Sequence, residues 1–186
     1  MGYHTFDASR ADKLERAERR FRFCSAEELR WALGADADAT VADLGSGTGF
    51  FTDVVAPHVE TCHAVDVQAA MHEYYREKGV PENVELVTSG VADLPFEDDA
   101  LDGAFSTMTY HEFASDEALT ELGRVLTESG RLAILDWSAR GSGEAGPPVE
   151  ERFSAAETTA ALEDHGFAVE HAAERPETFL LVAIAQ

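Results

Sequence analysis

The chain has 186 residues, with 36 acidic against 14 basic side chains and a formal net charge of −22 at pH 7. Its length suits a single domain around one substantial core, and we expect residues 1–186 to form one domain. The charge disfavours a nucleic-acid partner, because phosphate contacts need lysine and arginine.

Membrane association, export and metal binding are all disfavoured by the composition. No apolar run approaches the roughly 18 residues that cross a bilayer, and the charged N-terminus lacks the apolar centre of a secretory signal. Cys24 and Cys62 are isolated from any spacing typical of a disulfide framework or a zinc site. We therefore expect a cytoplasmic protein without a bound metal.

Acidic residues are spread along the whole chain, and lysine occurs only at positions 13 and 78. Self-repulsion on this scale destabilises a compact state at low ionic strength. The pattern predicts a halophilic protein that folds in molar salt and unfolds in dilute buffer.

Short apolar segments alternate with amphipathic helical segments, which is typical of a parallel sheet covered on both faces. The predicted strands are seven: Thr40–Leu44, His63–Val67, Val84–Thr88, Leu101–Met108, Arg131–Asp136, Phe167–His171 and Phe179–Ile184. The connection between the last two strands is too short for a crossover helix, so the seventh strand should run antiparallel to its neighbours.

Helix boundaries are marked by capping residues. Ser-x-x-Glu spacing predicts helix starts at Ser25–Glu28 and Ser154–Glu157, and Gly34 and Gly166 indicate helix ends. We expect residues 1–35 to form an N-terminal helical segment. Its stretches "YHTFD" and "RFRFC" either fold over a ligand site or pack on the sheet.

One long irregular stretch, residues 138–152, follows the fifth predicted strand and is rich in glycine and proline. Long loops in compact domains are usually functional or disordered. This loop is a candidate lid, and Trp137 just before it is either a core residue or one wall of a substrate site.

The stretch "VADLGSGTGF" places Gly45, Gly47 and Gly49 between a strand and a helix that starts near Phe50. Glycines there allow a ligand to approach the backbone and the helix N-terminus. A dinucleotide fingerprint needs its third glycine five residues after the first, whereas here it comes after four. The spacing disfavours a nicotinamide cofactor, although a purely structural turn remains an alternative.

Acidic side chains follow the first three strands near this loop. Asp43 just before the loop suits an amino group, and Asp66 at the end of the second strand can accept hydrogen bonds from two ribose hydroxyls. Asp93 can accept a hydrogen bond from an adenine amino group, with Ala92 and Leu94 flanking the ring. Together they indicate a nucleoside ligand that carries a cation.

The stretch "STMTYHEF" at the end of the fourth strand places Tyr110, His111 and Glu112 at the edge where ligands bind. His111 is a candidate general base, because its ordinary pKa lies near neutrality, and Tyr110 is a second candidate. Both could instead order the loop or line the pocket.

These motifs resemble the class I S-adenosylmethionine-dependent methyltransferases, and among them the type 11 methyltransferases. The match lies in "VADLGSGTGFFT", "AVDVQAAM", "VADLPFEDDALDGAF" and "ELGRVLTESGRLAILDW", with "ERR" near the N-terminus and "GPP" followed by arginine after strand five. The resemblance implies a Rossmann-like α/β fold with strand order 3-2-1-4-5-7-6. It implies S-adenosylmethionine as the cofactor, held by Asp43, Gly45, Ser46, Gly47, Gly49, Asp66, Val67, Ala92, Asp93 and Leu94.

The sequence thus predicts a methyltransferase that acts on a small or medium-sized acceptor by in-line displacement. The chain could instead bind S-adenosylmethionine without catalysis and regulate a partner. Either the substrate pocket is shallow, or a second subunit of a homodimer completes it.

Overall fold

The computed structural model describes residues 8–186 of the chain. Seven strands form one sheet: β1 Thr40–Leu44, β2 Thr61–Asp66, β3 Val84–Thr88, β4 Leu101–Thr107, β5 Leu126–Trp137, β6 Phe167–Glu174 and β7 Thr178–Ala185. The α-helices are α1 Ala17–Phe21, α2 Ala26–Leu33, α3 Phe50–Val55, α4 Ala69–Lys78, α5 Tyr110–Phe113, α6 Asp116–Val125 and α7 Ala155–Asp164. Short 3₁₀ segments are Ala8–Glu15, Ala56–His58 and Val149–Glu151.

The strand order is β3-β2-β1-β4-β5-β7-β6, so the predicted order 3-2-1-4-5-7-6 is confirmed. Strands β1 to β5 pair in parallel, and β7 pairs antiparallel with both β5 and β6. The predicted bounds of β1 and β3 are confirmed, whereas β5 begins five residues earlier than expected. Leu126 pairs with Leu101 before the register of β4 and β5 shifts, so the strand extends through a polar stretch that has no strand periodicity.

The predicted helix caps are confirmed. The Ser25 hydroxyl accepts a hydrogen bond from the Glu28 backbone N–H, and Ser154 and Glu157 form a complete capping box. Gly34 ends α2 in the left-handed conformation. Each cap satisfies backbone groups that a helix end leaves unpaired.

Two apolar clusters lie on the two faces of the sheet. One contains Leu119 of α6 and Leu162 of α7, and the other contains Leu29 of α2, Phe51 of α3 and Tyr75 of α4. The strands between them are apolar on both faces, as parallel sheets require. The carboxyl ends of the parallel strands are therefore the edge that loops can shape into a site.

The N-terminal segment is fastened to this edge by charged groups. Glu15 accepts a hydrogen bond from the Thr48 hydroxyl of the glycine loop, and both its carboxylate oxygens lie 3.3 Å from the Lys78 ammonium. Lys78 also lies 2.8 Å from an Asp53 oxygen. One of the chain's two lysines thus joins the N-terminal segment, α3 and α4.

No helix in the described residues is long and apolar enough to cross a membrane.

Candidate active site

A cavity of about 310 Å³ opens at the carboxyl ends of β1, β2 and β4. Its walls come from the glycine loop, the turns after β2 and β3, the segment after β4, and the N-terminal segment. The predicted cofactor residues that line it are Gly45, Ser46, Gly47, Asp66, Val67 and Ala92. This is the edge at which open α/β sheets bind ligands.

Asp66 holds the glycine loop to the end of β2. Its Oδ2 accepts a hydrogen bond of 2.8 Å from the Gly47 N–H, and its Oδ1 accepts one of 2.8 Å from the Gln68 N–H. Each carboxylate oxygen has a second lone pair. Asp66 can therefore accept further hydrogen bonds from a ligand in the cavity.

Two of the three glycines are required by packing within the protein. A Cβ on Gly45 would lie 2.2 Å from Thr109 Cγ2, and one on Gly49 would lie 2.1 Å from Tyr75 Cε1. Both have positive φ, at +79° and +78°. Gly45 lines the cavity, but Gly49 does not, so the absent side chain at Gly49 makes room for Tyr75.

Asp43 lies beneath the loop, 1% exposed. Its Oδ2 accepts a 2.7 Å hydrogen bond from the Thr52 hydroxyl, and its buried Oδ1 has no hydrogen-bond partner in residues 8–186. Burial raises the pKa of Asp43 to about 7, while the Thr52 hydrogen bond and the Arg20 charge oppose that shift. A buried acceptor without a partner costs free energy unless a ligand donates to it.

Arg20 brings a positive charge to the same end of the cavity. It lines the cavity together with Leu14, and its guanidinium lies 4.8 Å from the centre of the Phe51 ring. Its Nε is buried without a hydrogen-bond partner in the described residues. Burial lowers the pKa of Arg20 to about 10, although Asp43 acts in the opposite direction.

These contacts show that "RFRFC" contributes to the cavity, through Arg20, whereas "YHTFD" lies outside the described residues. The sequence left the position of the N-terminal segment open, and its described part covers the cavity.

The turn after β3 departs from the expected arrangement. Ala92 lines the cavity, but Asp93 is exposed outside it and Leu94 belongs to the core, 3% exposed. The Ser89 hydroxyl donates to the Asp93 carbonyl over 2.6 Å, and the Asp93 N–H donates to the Gly90 carbonyl over 3.2 Å. This tight turn carries the chain away from the cavity after Ala92.

Tyr110 is also placed away from the cavity. It is 2% exposed, and its ring packs edge-on against Phe113 and Phe153. Burial raises the pKa of Tyr110 to about 12. Tyr110 therefore packs in the core and does not line the cavity.

His111 lies next to the cavity without lining it. Its Nδ1 is 3.0 Å from both oxygens of Asp136, whose Oδ2 also accepts the His111 backbone N–H over 2.6 Å. Its Nε2 lies 3.9 Å from Oε1 of Glu112. Burial alone would lower the pKa of His111, but the hydrogen bond and charge of Asp136 outweigh it and the net pKa is raised.

Trp137 and the 138–152 loop pack against each other outside the cavity. Trp137 is 7% exposed, lies 4.8 Å from the Phe23 ring, and would be 2.4 Å from a Cβ on Gly146. Arg152 lies 5.6 Å from the Trp137 ring and donates to the Pro147 carbonyl over 2.9 Å. The interpretation of Trp137 as a substrate wall is therefore not supported, and the loop is held by its own arginine.

Two charged residues that line the cavity, Glu112 and Arg20, received no chemical role from the sequence. Glu112 follows the candidate His111 in α5. That helix has only four residues, too few for a sequence pattern to show which side chain faces the cavity. Arg20 belongs to the "ERR" motif, which carries no chemistry of its own. Met108, whose φ is +62°, also lines the cavity, and such a conformation in a residue other than glycine is typical of functional sites.

Comparison with known proteins shows a family and a fold that this chain shares with methyltransferases. Residues 42–134 match the model of a family described as "Methyltransferase domain". A crystal structure of a SAM-dependent methyltransferase from Aquifex aeolicus has a TM-score of 0.88 and 31% sequence identity, covering 98% of this chain and 100% of that one.

Curated relatives are matched over part of their length. An uncharacterised methyltransferase-like protein of Schizosaccharomyces pombe is 35% identical over 106 residues, which is 56% of this chain and 40% of that protein. An uncharacterised methyltransferase of Mycobacterium tuberculosis is 28% identical over 151 residues, covering 75% of this chain and 60% of that protein. The chain thus spans about half the length of these relatives.

Proposed function

Since this chain belongs to the family of S-adenosylmethionine-dependent methyltransferases, we propose that it transfers the methyl group of S-adenosylmethionine to a small or medium-sized acceptor. The observation that carries the proposal is Asp66, which lines the cavity while holding the glycine loop by a hydrogen bond from Gly47. A carboxylate in that position can accept hydrogen bonds from ribose hydroxyls. S-adenosylmethionine, when bound, supplies a methyl group activated by the positive charge of its sulfonium.

Two residues of opposite charge near the glycine loop fit the amino-acid end of this cofactor, which is a zwitterion. Arg20 lines the cavity, whereas Asp43 does not line it and lies beneath the glycine loop. Asp43 has a buried oxygen without a partner, and Arg20 has a buried Nε without one, in the described part of the chain. Asp43 would accept from the ammonium group, and Arg20 would donate to the carboxylate.

The apolar part of the cavity fits the adenine ring. Val67, Met71, Val91 and Ala92 line it on the side of β2 and β3. Val67 is 55% exposed in the structure, and covering such a side chain with an aromatic base is favourable. The exposed Asp93 is left out of this proposal, as is Leu94.

The chemistry asks little of the protein beyond alignment and exclusion of water. Phe113 and Met108 form an apolar wall near the end of β4, and Leu14 and Arg20 cover the cavity from the N-terminal side. The acceptor would enter between these groups.

Calorimetric titration in molar KCl tests the proposal with four ligands: S-adenosylmethionine, S-adenosylhomocysteine, 5′-methylthioadenosine and NAD. We expect the first two to bind, 5′-methylthioadenosine to bind more weakly because it lacks the amino-acid end, and NAD not to bind. Asp66→Ala should lower the affinity for every one of these nucleosides that binds. NAD binding, or no binding by a folded protein, would contradict the proposal.

The amino-acid end is tested separately with Arg20→Met, which keeps an apolar stem. The substitution should weaken the binding of S-adenosylhomocysteine about tenfold, since a charge-assisted hydrogen bond is lost. The affinity for 5′-methylthioadenosine should stay the same. An equal loss for both ligands would remove Arg20 from the cofactor site and leave the proposed activity intact.

A further inference from the structure

Three side chains form a connected group on the β4 and β5 side of the cavity: Glu112, His111 and Asp136. Glu112 lines the cavity, His111 stands behind it, and Asp136 is buried at 1% exposure behind His111. The distances along the group are 3.9 Å from Glu112 Oε1 to His111 Nε2 and 3.0 Å from His111 Nδ1 to Asp136. The carboxylate that meets the cavity is thus backed by an imidazole and a second carboxylate.

The orientation of His111 is set by Asp136. The Asp136 carboxylate accepts hydrogen bonds from the backbone N–H groups of His111 and Trp137 over 2.6 and 2.7 Å, so both of its oxygens are held in place. The imidazole Nδ1 lies 3.0 Å from both Asp136 oxygens and donates to that carboxylate, while Nε2 faces Glu112 at 3.9 Å.

The charges around Glu112 are of both signs. His111 faces it from its own helix, Asp66 from β2 and Asp136 from β5, and Glu151 acts on His111 from the 3₁₀ segment within the 138–152 loop. Arg20 lines the same cavity. Burial raises the pKa of Glu112 to about 7, with His111 opposing and the two aspartates adding to the shift. Glu112 can consequently take up or release a proton near neutrality, which is the range required of a general base.

We propose that Glu112 accepts the proton that the methyl acceptor loses, and that His111 and Asp136 are positioning residues that hold Glu112 toward the cavity. The inference rests on the proposed function. An O–H, N–H or S–H group of the acceptor gives its proton to Glu112, and its electron pair forms the new bond to the methyl carbon. The electron pair of the broken carbon–sulfur bond returns to sulfur, and the proton leaves Glu112 for solvent.

This arrangement selects a class of acceptor. A hydroxyl, amine or thiol that must lose a proton benefits from Glu112. A carboxylate acceptor needs no base, and it would lie beside Glu112 at a neutral to alkaline pH with like charge. We therefore infer a neutral or cationic protic acceptor, in place of a carboxylic acid.

The test needs no acceptor, because sinefungin reports on the same position. It carries a primary ammonium group where the cofactor carries its transferable methyl, whereas S-adenosylhomocysteine carries nothing there. The ratio of the dissociation constants of S-adenosylhomocysteine and sinefungin measures how strongly the protein stabilises a cation at the position of the transferable methyl group. It is measured by calorimetry in molar KCl from pH 6 to pH 9, for the unmodified protein, Glu112→Gln, His111→Gln and the control Glu117→Gln, which lies on the exposed side of α6.

In the unmodified protein, the preference for sinefungin should fall as the pH decreases through about 7, because Glu112 becomes protonated. Glu112→Gln should reduce the preference about tenfold at pH 8 and remove its pH dependence, with S-adenosylhomocysteine affinity nearly unchanged. His111→Gln should move the midpoint to higher pH, because a positive charge beside Glu112 is lost. A merely structural role of His111 would not move that midpoint.

Two results for Glu112→Gln would overturn the inference while the proposed function stands. One is an unchanged preference for sinefungin, and the other is an equal loss of affinity for sinefungin and S-adenosylhomocysteine. Absence of binding of either ligand to the unmodified, folded protein would contradict the proposed function itself. Glu117→Gln should behave as the unmodified protein, and a matching effect there would assign the change to net charge and overturn the role of Glu112.

Discussion

Gly49 lies directly against the ring of Tyr75, so that a Cβ at this position would come within 2.1 Å of Tyr75 Cε1. Gly49 also has a φ of +78° at the N-terminus of α3, and the Tyr75 hydroxyl donates to Asp53 over 2.5 Å. The glycine loop is thereby joined to α4 by close packing as well as by hydrogen bonds.

Gly49→Ala should destabilise the protein by about 3 kcal/mol or more, because a positive φ and overpacking each carry a cost. Gly166 provides the matched control, since it has a φ of +82° with nothing within 4 Å of its added Cβ. Gly166→Ala should cost only about 1 kcal/mol. Urea unfolding in molar KCl measures both, and equal losses would contradict the close packing against Tyr75.

Asp43→Asn should stabilise the folded protein at pH 8 while weakening S-adenosylhomocysteine binding. The folded pKa of about 7 lies above the ordinary value of 3.8, so the ionised carboxyl destabilises the fold. That cost is absent at low pH and grows as the pH rises from about 4 to about 7, reaching a few kcal/mol at most. Asparagine can still accept the Thr52 hydrogen bond through its Oδ1.

Urea unfolding of both proteins from pH 4 to pH 8 measures this effect. The stabilisation by Asp43→Asn should be small at pH 4 and largest at pH 8. If the difference in unfolding free energy between the two proteins were constant from pH 4 to pH 8, Asp43 would not be the source of the pH dependence.

Asp136→Asn should lower the pKa of His111, because the Asp136 hydrogen bond and charge are what raise it. It should also cost about 1–3 kcal/mol of stability, since an amide replaces one accepting oxygen beside buried backbone donors. The titration of the His111 Cε1–H resonance measures the first effect. An unchanged midpoint would place the charge that acts on His111 elsewhere.

The net charge of −22 predicts that the fold depends on salt. Screening shortens the range of repulsion from about 30 Å at 0.01 M to about 3 Å at 1 M. The far-UV circular dichroism spectrum should therefore be that of a folded protein in molar KCl, and its helical signal should decrease in dilute buffer. A spectrum that does not change over this range would refute the halophilic interpretation, and potassium chloride replaced by sucrose provides a control for general stabilisation.

Much of the fold followed from local patterns. The apolar segments that became β1 and β3 had the expected bounds, because a strand buried on both faces is a continuous apolar run. The short connection between the last two predicted strands required an antiparallel β7, and the observed pairing confirms it. The capping residues at Ser25 and Ser154 act through bonds within one helical turn, so sequence alone was sufficient to place them.

The site was less accessible to such patterns. The sequence indicated which edge of the sheet holds the cavity and named six of its lining residues, since the order of strands and loops determines that edge. It also named Asp93, Leu94 and Tyr110, which the structure places on the surface or in the core. In a tight turn or a four-residue helix, the local backbone dihedral angles determine whether a side chain faces inward. No periodic sequence pattern predicts those angles.

The sequence by itself determined the class of fold, the edge of the sheet that holds the cavity and the presence of Asp66 at that edge, because these depend on local periodicity and chain order. Only the tertiary structure decided that Arg20, from an N-terminal segment, meets the cavity and that Glu112, rather than His111, faces it. Both facts arise from contacts between residues far apart in the chain, such as Arg20 with Met108 and His111 with Asp136. Packing of the whole molecule determines those contacts, and no local pattern carries them.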